Sequence, residues 1–303
     1  MSNQDRPELP YGVVPPGYRL PDATRVGRVR LQVAELTRSV AYYERVLGMS
    51  VLERDDTRAV LGAEGGAEPL VELHQRRSAA AVPPGGRLGL YHYAILLPDR
   101  AALGRFTVHL REIGIRAGAS DHLVSEALYL QDPDGLGIEV YADRPRSSWR
   151  YENRQLAMAT EPLDLESLTR AGDGERWTGM PAGTTIGHVH LHVGDIGEAE
   201  AFYHRGLGLD KVVWGYPGAL FLSAGGYHHH LGVNTWARGA DPAGEDDARL
   251  LDWELVLPSE ADVQEALGAL TIAGYGADPA GAGRSASDPW GTRVRIRAAS
   301  SGN

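Results

Sequence analysis

The chain has 303 residues, a net charge of −10, 43% hydrophobic and 23% charged residues, and no cysteine. This is long enough for two domains with cores of their own and too apolar for a disordered chain. The acidic balance leaves no basic footprint for nucleic acid, and no run of about 18 apolar residues offers a membrane span. The N-terminal residues show no apolar leader, so a cytoplasmic location is expected. Without cysteine, disulfides and thiolate ligands are excluded, and any metal must be held by histidine and carboxylate. Eleven histidines are available, seven of them between His188 and His230.

Residues 1–24 are punctuated by proline and read as an arm lying on the body. A strand is predicted over 26–33, then a helix with Thr37 as N-cap that stops near Gly48, then strands at about 50–54, 57–62 and 68–74. After the loop Pro83-Pro84-Gly85-Gly86 the same order returns: a strand over 90–97, a helix over about 99–113, and strands at about 115–118, 125–131 and 136–142. Asp132-Pro133-Asp134-Gly135 is the turn between the last two. Residues 146–183 form a connector with a short helix near 163–170.

The next strand, Ile186-Gly187-His188-Val189-His190-Leu191-His192-Val193, turns three histidines to one face by alternation. The chain holds the same strand 160 residues earlier, as Val26-Gly27-Arg28-Val29-Arg30-Leu31-Gln32-Val33. The following helix repeats at the same offset, with Phe202-Tyr203 over Tyr42-Tyr43 and Leu207-Gly208 over Leu47-Gly48. Strands are expected at about 211–215, 218–223 and 228–235. A fourth unit repeats the second, Leu251–Pro258 lying over Tyr91–Pro98 and Asp288-Pro289-Trp290-Gly291 over the earlier turn. The chain is thus four βαβββ modules. Each has an open apolar face and needs a partner, so an α+β fold with modules paired into two half-open barrels is expected. In sequence order the modules group as an N-terminal domain over 25–145 and a C-terminal domain over 184–299.

Three elements carry a family resemblance: the H-x-x-L-x-V strand at His188–Val193, the Phe202-Tyr203…Leu207-Gly208-Leu209 helix, and the D-P-x-G-x-x-I-E strand ending at Glu139. On these the chain resembles the vicinal-oxygen-chelate superfamily, which includes glyoxalase I, fosfomycin-resistance proteins and type I extradiol dioxygenases. Its layout is most similar to the two-domain bacterial catechol 2,3-dioxygenases. That resemblance implies a metal inside a cupped module pair, each module offering one ligand from its first strand and one from its last.

By motif matching, the four modules offer Arg28 and Glu72, His92 and Glu139, His188 and Leu231, and Asp252 and Arg295. Pairing the second with the third gives His92, His188 and Glu139 with an apolar fourth position, the two-histidine, one-carboxylate set of non-haem Fe(II) oxygen chemistry. Pairing the first with the fourth sets two arginines against two carboxylates, a salt-bridge plug. Pairing within one chain or across a homo-oligomer is left open.

The resemblance further implies Tyr129 as a hydrogen-bonding residue at the substrate oxygen and a member of His228–His230 as acid–base catalyst, with His229 the first choice. Strand alternation groups His228 with His230 on the other face. His122, His190, Trp214 and Trp236 are candidate pocket residues, and the tryptophans read equally well as core. The expected activity is extradiol (meta) cleavage of a small aromatic diol by O2 with Fe(II), Mn(II) being the alternative ion. The competing readings are a glyoxalase-like isomerase or lyase with Ni(II) or Zn(II) and a fourth ligand near 230, and a small-molecule binding or resistance protein.

Overall fold

The computed structural model describes residues 11–66, 68–278 and 284–300. Of the expected arm, residues 1–10 lie outside the described residues. From Tyr11 on, the arm crosses the body, Val13 bridging Lys211 and Arg19 pairing with Asp210 at 2.6 Å.

The first module runs β1 (Arg25–Val33), α1 (Leu36–Tyr42) prolonged by a wider turn to Leu47, β2 (Ser50–Arg54), β3 (Arg58–Gly62) and β4 (Pro69–Gln75). The second runs β5 (Gly89–Leu96), α2 (Arg100–Glu112), β6 (Gly118–Asp121), β7 (Ser125–Gln131) and β8 (Gly137–Asp143). The connector adds the hairpin β9 (Tyr151–Glu152) and β10 (Gln155–Leu156), then α3 (Leu165–Ala171). The third module is β11 (Thr185–His192), α4 (Ile196–Ala199) with a wider-turn continuation to Gly206, β12 (Asp210–Val213), β13 (Ala219–Ser223) and β14 (Leu231–Asn234). The fourth is β15 (Arg249–Leu257), α5 (Glu260–Ile272), β16 (Ala277–Asp278), β17 (Ser285–Ser287) and β18 (Arg293–Ala298).

Three local expectations are corrected. Glu35, not Thr37, caps α1, its carboxylate accepting the Thr37 and Arg38 N–H groups at 2.9 and 2.7 Å. The strand expected at 115–118 begins only at Gly118, because Gly114 is left-handed and the Ile115 N–H turns back to the Leu110 carbonyl. His228–His230 precede β14 instead of lying within it, since Gly225 and Gly226 both have positive φ and bend the chain there.

The strands form two eight-stranded curled sheets, in the orders β16-β17-β18-β15-β1-β4-β3-β2 and β12-β13-β14-β11-β5-β8-β7-β6. Each is a half-open barrel. One unites the first and fourth modules, the other the second and third, so each takes one module from 25–145 and one from 184–299, within a single chain. The two central strand pairs, β1/β15 and β11/β5, are antiparallel. Their alternate residues (Val29, Leu31, Val189, Leu191, Trp253 and Leu255) are buried in one core shared by both sheets. Each such side chain contributes roughly 1.5–3 kcal/mol by burial. With the apolar phase of β11 committed to that core, His188 and His190 are turned into the cup. Among the described residues no helix is long and apolar enough to cross a membrane.

The cup of the first and fourth modules is filled by ion pairs. Arg28 reaches Glu72 at 2.8 Å and Glu254 at 2.9 Å, while Asp252 is held by Arg295 at 3.1 Å and by Arg30. Arg58 and His74 close on the second Glu72 oxygen at 2.7 and 2.8 Å, and Arg297 reaches Glu254 at 2.9 Å. Burial alone would raise the Glu72 carboxyl, but these partners hold it far below the usual carboxylate range. Arg28, Glu72, Asp252 and Arg295 thus form the expected plug, enlarged by residues that motif matching did not single out.

Candidate metal and substrate site

In the other sheet, pairing brings the equivalent positions together. His188 lies opposite Ala94, Ala94 beside Glu139, and Glu139 opposite Tyr129. One row across β11, β5, β8 and β7 therefore carries a histidine, a small spacer, a carboxylate and a tyrosine on the same face. His92 stands two residues from Ala94 on that face, opposite His190. The ten-residue spacing of Tyr129 and Glu139 is that of a hairpin folded at Asp134.

Glu139 Oε2 lies 3.2 Å from Nε2 of His188 and 3.0 Å from Nε2 of His92. The candidate ligand atoms of the three residues all fall within 4.8 Å of one another, and all three residues are buried. Among the described residues the His92 Nε2 makes no well-aligned hydrogen bond, to that oxygen or to any other atom. A buried ring nitrogen left without a hydrogen bond beside a buried carboxylate fits a cation better than a packed core. Burial pushes the His188 imidazole down to about 4, against the pull of Glu139, so its ring is neutral with a lone pair to offer. Burial would raise Glu139, but His188 and His92 outweigh it and hold the carboxyl well below its ordinary value. A neutral His188 imidazole beside an ionised Glu139 carboxylate is the state in which a divalent metal takes these two ligands.

The strand-end position of the third module is corrected. Leu231 is fully buried in the shared core, and Gly232 occupies the cup position beside His190. A one-residue slip reverses the face. A Cβ on Gly232 would sit 2.9 Å from the His190 ring, so glycine here makes room for that imidazole. The fourth position still offers no donor atom.

The three residues open on a cavity of about 280 Å³, lined also by Tyr129, His122, His190, His229 and Trp236. His122 Nε2 is 2.6 Å from the Tyr129 hydroxyl. His190 Nε2 faces Asn234 Nδ2 at 3.0 Å, and Asn234 Oδ1 is held by the Trp236 N–H at 3.0 Å and by His192 at 2.7 Å. Of the three consecutive histidines only His229 lines the cavity, its ring 4.0 Å from that of His188. His230 Nδ1 instead accepts the Ala224 N–H at 3.1 Å. Burial lowers His229 well below the usual histidine range and raises Tyr129 well above the usual phenol range.

Trp214 does not line the cavity. Gln155 of the connector accepts its N–H at 2.6 Å just past β12, and its side chain is exposed. Sequence reasoning missed Tyr91, Phe221 and the connector residues Met158, Ala159 and Thr160, all of which line the cavity. Tyr91 should share the opposite face from His92 by alternation. A bulge in β5 leaves it unpaired between Leu90 and His92 and turns its ring to 4.8 Å from His92 and 4.7 Å from His192.

With this geometry in hand, known proteins give the family. Residues 25–140 match the family model of the Glyoxalase/Bleomycin resistance protein/Dioxygenase superfamily. A Bacillus subtilis (strain 168) protein named catechol-2,3-dioxygenase is 46% identical over 256 residues, covering 83% of this chain and 89% of that protein. The chain belongs to the catechol-2,3-dioxygenase family. Solved structures agree on the fold. A Bacillus subtilis protein superposes with a TM-score of 0.62 at 13% identity over 93% of this chain and 86% of its own. Glyoxalase I from Zea mays superposes with a TM-score of 0.50 at 18% identity over 90% and 92%. For a member of this family a metal is expected, and His92, Glu139 and His188 are the group among the described residues that could hold it.

Proposed function

We propose that this chain is a non-haem Fe(II)-dependent extradiol dioxygenase that cleaves a catechol-type substrate with O2. The observation that carries the reading is the set of two imidazoles and one carboxylate, with no fourth donor grouped with them among the described residues, opening on a cavity sized for one aromatic ring. An apolar cavity of about 150 Å³ already admits benzene, so the larger space here suits a ring with two oxygens and small substituents. His92, His188 and Glu139 would hold the metal; Mn(II) shares the same ligand preferences. When bound, the ion supplies Lewis acidity toward both diol oxygens and an electron path to dioxygen.

The protein groups do the rest. His229, neutral through burial, takes a proton from a diol hydroxyl. Tyr129, kept protonated and engaged with His122, fixes the neighbouring oxygen. Phe221, Trp236, Tyr216 and Tyr91 wall the ring, and Met158–Thr160 cover it from the connector. The bare Gly232 position argues against a glyoxalase-like site with four protein ligands.

The test is dioxygen uptake by anaerobically purified, ferrous-loaded protein across a panel of catechols and hydroquinones. One O2 per diol with a yellow ring-opened product is expected. Turnover of a hemithioacetal without O2, or no O2 uptake on any diol, removes the reading.

A further inference from the structure

The cavity histidine His229 is tied to a second histidine and a carboxylate that belong to no module motif. His229 Nδ1 lies 2.7 Å from Nδ1 of His228, and His228 Nε2 lies 2.9 Å from Asp143 Oδ1. His228 is fully buried, its ring 4.1 Å from Tyr227 and 5.6 Å from Trp149, so it cannot reorient freely. Asp143 closes β8, four residues after Glu139. Its Oδ1 also accepts the Tyr227 hydroxyl at 3.2 Å, and the Tyr227 hydroxyl lies 2.7 Å from the Tyr141 hydroxyl. The Tyr141 hydroxyl in turn fills the space beside Gly187, where a Cβ would stand 1.8 Å away.

Hydrogen-bond chemistry fixes the protons along this line. A carboxylate only accepts, so His228 Nε2 carries hydrogen. When that is the only ring hydrogen of His228, its Nδ1 is bare and accepts, and His229 Nδ1 donates. The nitrogen left to His229 for a bound molecule is Nε2, and it is bare. We propose that Asp143 and His228 are positioning residues that set the tautomer of His229, presenting Nε2 to the cavity as a proton acceptor. This rests on the proposed role of His229 and deepens it. The sequence supplies a base ready to receive a hydroxyl proton, and not a donor that would first have to lose its own. His228, one of the three histidines from which the sequence left the acid–base residue to be chosen, becomes the link between the cavity and the partly exposed Asp143.

The experiment reads the tautomer directly. Long-range ¹H–¹⁵N spectra of the full chain, free of paramagnetic metal, distinguish a bare from a protonated ring nitrogen, and a His229→Gln variant assigns the signals. Wild type is expected to show His229 protonated at Nδ1 and bare at Nε2. Asp143→Ala removes the acceptor, and His229 should then sample both tautomers. Asp143→Asn keeps an oxygen in place and should restore the wild-type pattern. In ferrous-loaded enzyme Asp143→Ala should lower kcat roughly 10- to 100-fold with KM little changed, and Asp143→Asn should recover most of it. Wild-type His229 protonated at Nε2 overturns the proposal, as does an Asp143→Ala protein with an unchanged tautomer. The wild-type spectrum decides even if a variant fails to fold. The expected tautomer together with no O2 uptake on any diol leaves this assignment standing and removes the dioxygenase reading instead.

Discussion

The hydroxyl of Tyr129 lies 2.6 Å from Nε2 of His122, while Nδ1 of the same ring lies 2.7 Å from the Ala159 carbonyl. A carbonyl only accepts, so Nδ1 carries the hydrogen, and a bare Nε2 accepts the hydrogen bond of the Tyr129 hydroxyl. The tyrosine oxygen is thereby left as an acceptor toward the cavity, and the connector, through Ala159, is what orients it. Tyr129→Phe should therefore lower kcat/KM by about 10- to 100-fold, the worth of a hydrogen bond to a charged or developing-charge group. His122→Phe should cost less, because the hydroxyl remains. The double variant should be no worse than Tyr129→Phe alone, since both act through one bond. Additive losses, measured as O2-uptake rates, would separate the two residues.

Metal binding gives the second prediction. Wild type should bind one ferrous ion per chain, and His188→Ala and Glu139→Gln should each lose it by elemental analysis. Because the ion binds only the folded chain, saturating wild type at 100 times its Kd should stabilise it by about 2.7 kcal/mol, visible as an upward shift of Tm. Neither variant should show that shift. Stoichiometric iron in His188→Ala would place the site elsewhere.

The ion-pair plug predicts the opposite pattern. Arg28→Ala takes a partner from Glu72 and from Glu254, both buried. Breaking a buried pair from one side costs about 3–5 kcal/mol, and the remaining Arg58, His74 and Arg297 contacts place the expected loss near the lower end. Urea unfolding should show it, with iron content unchanged. Loss of iron in this variant would mean that the plug and the metal site are coupled.

The module order and the partition into a plugged and an open cup were legible in the sequence because alternation and the 160-residue offset are local, repeated signals. Arg28 against His188 is enough to tell the two cups apart, and the same row of positions carries Glu72 and Glu139. What escaped was set by backbone irregularity. The bulge that turns Tyr91 over His92 breaks the period on which face assignment depends. The paired positive-φ glycines at 225 and 226 take His228–His230 out of the strand, so alternation is not the reason that His229 faces the cavity. Leu231 and Gly232 were confused because the start of a four-residue strand carries no periodicity to fix its phase. Met158–Thr160 lie in an aperiodic connector, and only its path over the cup brings them to the cavity.

The turn that joins the Tyr129 strand to the Glu139 strand supplies a pH prediction. Asp132 Oδ1 accepts the N–H groups of Asp134 and Leu136, each at 2.9 Å, but its Oδ2 is buried without a partner. Burial pushes this carboxyl up to about 7. A folded-state value above the unfolded one means that the fold prefers the neutral acid. Its contribution is then fully present below about pH 4 and is lost as pH rises through 7. At about 1.4 kcal/mol per unit, the loss reaches at most about 4 kcal/mol. Asp132→Asn stays neutral throughout, so the stability difference between wild type and this variant should move in the variant's favour between pH 4 and pH 8. Calorimetry of both proteins at several pH values measures it. A difference that does not change with pH would mean that Asp132 is ionised in the fold and that its second oxygen has found solvent.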